Sequence, residues 1–116
     1  MAIGDDYEAA TARWLAARGS RILARNYRCR AGELDIVALD DGRLRFVEVR
    51  ARSNPHYASA AASVDARKQA KLRRAAAHFL ACRWRGATPP CRFDVVVWEP
   101  GPRSGKLRPR LIENAF

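Results

Sequence analysis

Residues 32–51 read GELDIVALDDGRLRFVEVRA, two apolar-rich runs separated by Asp40-Asp41-Gly42. Asp-Gly between such runs is the strongest short-range hairpin signal, because a type I′ turn needs positive φ at both central residues. With Asp41 and Gly42 as the loop, Asp35 falls opposite Glu48 and Glu33 opposite Arg50. Directly opposed side chains lie about 5 Å apart at Cβ. Strand alternation gathers Glu33, Asp35, Glu48 and Arg50 on one face, continued toward the turn by Val37, Leu39, Leu44 and Phe46. The reverse face takes Leu34, Ile36, Val47 and Val49. A three-residue loop would send Asp35 and Glu48 to different faces, so the turn decides the site.

Like charges directly opposed in a sheet are destabilising, and two carboxylates on a partly dry site raise one another's pKa. Two arrangements relieve this. In one, Arg50 pairs with Glu33 and the group is a solvated, arginine-compensated ion cluster. In the other, the acids hold Mg²⁺ or Mn²⁺, hard cations that take oxygen ligands from one or two carboxylates plus substrate phosphates. Geometry on paper leaves both open.

Around the hairpin the chain alternates helix and strand. Tyr7, Ala10, Trp14 and Leu15 recur at helical steps between Asp5 and about Arg18, with Gly19 as a stop. Residues 21–29 (RILARNYRC) read as a strand, and 53–62 as a loop. From about Ser63, a candidate N-cap, to Arg85 the pattern is helical again, with Val64, Leu72, Ala76, Phe79 and Leu80 on one side. CRFDVVVW (91–98) reads as a buried strand and 99–106 as a Pro/Gly-rich loop, with residues 110–116 as a short extended segment or tail. The expectation is one α/β domain over residues 1–116, in the order αβββαβ with a candidate terminal strand, its mixed sheet of four or five strands flanked by helices. Trp14 and Phe79 read as core anchors. Trp84 reads as a cap on the core, with stacking on a nucleobase as the second use.

The net charge is +10, and its distribution is uneven: residues 1–48 balance, so residues 49–116 carry the whole excess. A basic half beside a balanced half points to a polyanion, nucleic acid first and an anionic membrane surface second. Arginine and alanine excess from genomic base composition is the plain alternative. No apolar run approaches the roughly 20 residues that cross a bilayer. The start MAIGDDYEAA has no basic or apolar region of a secretory signal, so a cytoplasmic protein, nucleoid-associated if it binds DNA, is expected. Cys29, Cys82 and Cys91 are odd in number and lack C-x-x-C spacing, which supports neither a disulfide framework nor a zinc knuckle. His56 and His78 stand apart and carry no assigned role.

Gly32-Glu33-Leu34-Asp35, Phe46-Val47-Glu48-Val49-Arg50 and Arg92-Phe93-Asp94-Val95-Val96 resemble the YraN family of small bacterial proteins, in the PD-(D/E)XK nuclease superfamily. Glu8, Lys68-Gln69 and the closing Asn114-Ala115-Phe116 fit it too. The resemblance implies a restriction-endonuclease-like fold, with archaeal Holliday-junction resolvases as relatives. It implies that Asp35 and Glu48 are metal ligands for Mg²⁺ or Mn²⁺ and that Glu8 is a third acid reaching in from the helix. Glu33 and Gln69 fall behind the ligands; Asp94 reads first as a partner for backbone or arginine groups, with a place behind the ligands as its second use. The superfamily's lysine position falls on Arg50. Arginine stays protonated and cannot act as a base, but it can hold a phosphate or stabilise developing charge. Lys68 is a candidate for the missing ammonium, or one more solvated helix residue.

The implied activity is metal-assisted hydrolysis of DNA phosphodiesters. Arg52, Arg67, Lys71, Arg73 and Arg74 are expected to hold the backbone, which positions DNA without specifying sequence. Branched DNA is therefore the expected substrate. Resemblance to junction resolvases adds a symmetric homodimer. Arg50 motivates a second reading, a nucleic-acid-binding module of the same fold without catalysis. A basic surface for proteins or the ribosome is a third.

Overall fold

The computed structural model describes residues 3–52, 64–103 and 105–116, with side chains from residue 6 onward. Helix α1 (Ile3–Ala17) leads into strand β1 (Arg21–Cys29). Strands β2 (Gly32–Asp40) and β3 (Arg43–Ala51) form the hairpin, helix α2 (Ala66–Arg83) follows, and β4 (Cys91–Pro100) and β5 (Leu107–Ile112) close the chain. The sheet runs β1-β2-β3-β4-β5, antiparallel except for the parallel pair β3–β4 that α2 connects. This mixed α/β arrangement of five strands and two helices is consistent with a restriction-endonuclease-like fold. None of its described helices is long and apolar enough to cross a membrane.

The hairpin follows its turn chemistry. Asp41 (φ 51°) and Gly42 (φ 73°) both take positive φ, and the ladder pairs Leu39 with Leu44, Val37 with Phe46 and Ile36 with Val47. That is the register read from the sequence. The Gly19 stop is seen as well, at φ 99° just beyond α1.

Each face of the sheet is sealed by one helix. Leu34, Val37, Leu44, Phe46, Val95 and Val97 pack with Leu72, Ala75, Ala76 and Phe79 of α2. On the other face Ile36, Ala38, Val47 and Val96 pack with Ala12 and Leu15 of α1. At roughly 1.5–3 kcal/mol per fully buried large apolar side chain, these two layers are the main stabilising term. Phe79 is a core anchor as expected, whereas Trp14 is only half-buried at the edge of its cluster.

Leu34 departs from the expected alternation: it packs on the α2 face with Val37, not on the reverse face with Ile36. On the neighbouring β1, Asn26 takes φ 52°, and the β1–β2 ladder pairs Arg25 with Ile36 and Tyr27 with Leu34, with no Asn26–Asp35 pair between them. Within β2 itself the pairing lapses at Asp35 on both sides, and its carboxylate takes the Val49 N–H, so the pleat is interrupted between Leu34 and Val37.

Helix α2 is capped by Asp65, whose Oδ1 accepts the Lys68 N–H at 2.8 Å. The expected cap Ser63 and the loop over 53–62 lie outside the described residues, and the helix ends at Arg83 rather than Arg85. The terminal extended segment is a true strand, and Asn114 after it takes φ 50° and donates its N–H to Asp94 Oδ1 at 2.7 Å. Cys29, Cys82 and Cys91 are free thiols. The outer strands carry exposed arginines, Arg21, Arg25 and Arg28 on β1 and Arg108 and Arg110 on β5.

Candidate active site

The acids meet at the end of the sheet where the β2–β3 ladder stops, one residue beyond the Ile36–Val47 pair. There the Asp35 carboxylate accepts the Val49 N–H at 2.9 Å. Helix α1 is fixed over this end by Trp98, whose indole N–H donates to Thr11 Oγ1 at 2.8 Å and whose ring lies 5.5 Å from Tyr7. That clamp places Glu8, the residue after Tyr7. With its amide nitrogen facing the acids, Asn26 donates to Glu8 Oε2 at 2.6 Å and to Glu33 Oε1 at 3.1 Å.

Carboxylate oxygens of Glu8, Glu33 and Asp35 all lie within 4.8 Å of one another, and all three residues are half-buried. Oxygens this close suit a hard divalent cation with ligand distances near 2.0–2.6 Å, so the donor set fits Mg²⁺ or Mn²⁺. Glu33, expected behind the ligands, brings its carboxylate into this trio. Glu48 lies outside that trio, close enough to Asp35 for its charge to act on it.

Glu48 is the buried member, 5% exposed. Burial first, then the charge of Asp35, pushes its carboxyl up to about 7, while Arg50 and Lys68 pull it back. Arg50 Nη1 lies 3.4 Å and Lys68 Nζ 3.7 Å from Glu48 Oε1. The Arg50 Nε is buried and has no hydrogen-bond partner among the described residues. The pairing of Arg50 with Glu33 expected from cross-strand opposition does not form. Glu33 pairs with Arg28 at 3.7 Å instead, because the strands part before the second pair is reached.

Lys68 owes its place to the start of α2. Its N–H is bound by the Asp65 cap, and Gln69 donates from Nε2 to Val64 O at 3.0 Å. Gln69 therefore secures the helix start that presents Lys68. Arg67, Lys71 and Arg74 are exposed on the same helix, and Arg73 lies over the rings of Phe93 and Phe116 at 5.6 and 5.5 Å. Arg52, expected among the phosphate-binding residues, is paired with Glu99, with Nη2 3.2 Å from Oε2.

Asp94 stands apart from the acids. It is fully buried and accepts from Arg45 Nη1 at 3.1 Å and from the Asn114 N–H, with Arg92 Nε at 3.5 Å. Arg45 also reaches Asp40 at 2.9 Å and Glu113 at 3.3 Å. This network joins β2, β3, β4 and the chain's last residues. Asp94 thus serves arginine and backbone groups, the first of the two uses expected for it.

Asn26 was not singled out from sequence. The only local signal is that asparagine tolerates the left-handed region better than most residues.

The chain matches the profile of the uncharacterised protein family UPF0102 over residues 7–97. It is 51% identical to a UPF0102 protein of Symbiobacterium thermophilum, with 98% of this chain and 95% of that protein aligned. It is 50% identical to one of Bordetella parapertussis over 97% of this chain and 63% of the relative, so it spans less than two thirds of that protein. A UPF0102 protein of Pseudomonas fluorescens is 42% identical over 97% of this chain and 91% of its own length.

Proposed function

The chain belongs to the UPF0102 (YraN) family, and from its acidic site we propose that it is a metal-dependent, structure-selective DNA endonuclease. The observation that carries this reading is the meeting of Asp35 with the buried Glu48, flanked by Glu8 and Glu33 and faced by Arg50 and Lys68. A structural ion cluster on a surface has no need to bury one of two adjacent carboxyls so deeply. Glu8, Asp35 and Glu48, with Glu33, would hold Mg²⁺ or Mn²⁺. When bound, such an ion lowers the pKa of water and polarises a phosphoryl group.

The chain's own cations complete the site. Lys68 stands where an ammonium can orient water or hold a phosphate oxygen. Arg50 stays charged and offers donors to a phosphate, its buried Nε among them. The exposed Arg67, Lys71 and Arg74 contact the DNA backbone, which gives preference for shape over sequence. A symmetric homodimer cutting two strands belongs to the same proposal, with a cytoplasmic or nucleoid setting.

The test is a cleavage panel of linear, nicked, flapped and four-way DNA with Mg²⁺ or Mn²⁺. Wild type cuts a branched substrate, and Asp35→Asn and Glu48→Gln each fall by about 100-fold or more. Branched DNA left intact by wild type with either ion would reject the proposal, as would normal cutting by both variants.

A further inference from the structure

A second concave surface opens beside the acids, between β1 and the C-terminal end of α2, with a volume of about 560 Å³. This lies within the ~300–1,000 Å³ usual for small-ligand sites. Tyr27, Phe79 and Trp84 supply its aromatic walls, and Arg25, Arg28 and Arg83 its charge. None of its lining residues is acidic. The rings are held in place: the Tyr27 hydroxyl is bonded to His78 Nδ1, Phe79 meets Tyr27 edge-on at 5.3 Å, and the Trp84 indole N–H donates to Ala87 O at 3.0 Å. Arg83 lies 5.8 Å over the Tyr27 ring. The guanidiniums of Arg25, Arg28 and Arg83 belong to exposed residues, and Arg28 has only a loose 3.7 Å contact with Glu33.

We propose that this cleft takes an unstacked nucleotide of a single-stranded DNA segment, its base against Trp84 and Tyr27 and its phosphates on Arg25, Arg28 and Arg83. Fixed aromatic faces ringed by arginines match the chemistry of single-strand binding, where stacking gives sequence-tolerant affinity and cations follow the backbone. Bases inside a duplex cannot reach such faces. Asn26 lines the cleft and also donates to Glu8 and Glu33, so a strand leaving the cleft passes directly to the acids. The inference rests on the proposal that the acidic site acts on DNA, and it names the part of a branched substrate that the site selects: an unpaired arm.

Binding is measured in EDTA by fluorescence anisotropy, with a labelled oligo-dT strand and a blunt duplex of similar length, so that no cleavage is involved. Trp84→Ala weakens single-strand binding by about tenfold or more, Trp84→Phe restores most of it, and duplex binding barely changes. Because Trp84 also packs on the core, the Arg25→Gln/Arg83→Gln double variant, altered only at exposed residues, provides the second measure. It weakens the single strand and lowers the slope of log affinity against log salt. Wild-type affinity in both variants overturns the inference, as does an equal loss for duplex, or tighter binding of an acidic peptide than of the strand. Single-strand binding with these dependences, in a protein that cuts nothing, supports the cleft while rejecting the nuclease; flap cutting that survives both variants does the reverse.

Discussion

Glu48 is a carboxylic acid held in the wrong medium. Its ordinary value of 4.5 rises to about 7 in the fold, so between those limits the folded state binds a proton that the unfolded chain has released. The stability from this group is complete below about pH 4.5 and is lost as pH rises through about 7, a span worth on the order of 3 kcal/mol. Glu48→Gln, neutral throughout, should therefore make the metal-free protein more stable at pH 8 and flatten the pH dependence of its melting temperature relative to wild type. Asp94, also raised by burial, adds to the slope of both proteins and cancels in their difference. A variant that is more stable yet inactive would separate chemistry from folding at this residue. Asp35 and Glu48 could be read from the sequence because a two-residue turn fixes their register. The partner of Arg50 could not. Its contact with Glu48 runs along one strand, two residues apart, and depends on the strands parting beyond Ile36 and Val47. Asn26 was hidden for a related reason, since its role comes from a backbone φ of 52° and from acids on two other elements.

At the scale of elements, the start of α2 sets the cation side of the site. Asp65→Ala removes the cap and should lower stability by about 1 kcal/mol, measured by urea unfolding. It should also reduce cleavage, because Lys68, bonded to that cap through its own N–H, loses its fixed position beside Glu48. Gly42→Val tests the hairpin in the same way. At φ 73° a β-branched residue is strained, and the variant should unfold more easily by about 1–2 kcal/mol. The elements themselves follow local rules, with helical periodicity for α1 and α2, the Asp-Gly turn for β2–β3 and an apolar run for β4. Leu34 shows where those rules end. Alternation assumes an unbroken pleat, and the interruption at Asp35, beside Leu34, comes from how the paired strands meet it rather than from the run of residue types.

The molecule as a whole is closed by Asp94. One fully buried carboxylate holds Arg45 of β3, Arg92 of its own strand and the Asn114 N–H beyond β5. Asp94→Ala leaves Arg45 with reduced compensation in a dry site and should cost about 3–5 kcal/mol in chemical unfolding, without a specific effect on metal binding. Five strands in one sheet also leave two outermost strands, and both carry exposed arginines. An unpaired strand edge is a template for another copy of the same chain, and charge along it is a common defence. Beyond any ligand they hold, the arginines of β1 give the edge a charge that disfavours zipping of copies into aggregates. Substituting Arg21, Arg25 and Arg28 with threonine should raise light scattering of the concentrated protein at low salt. A polyanion that neutralises those edges would remove the same safeguard, so edge-to-edge aggregation should increase where a polyanion covers these arginines.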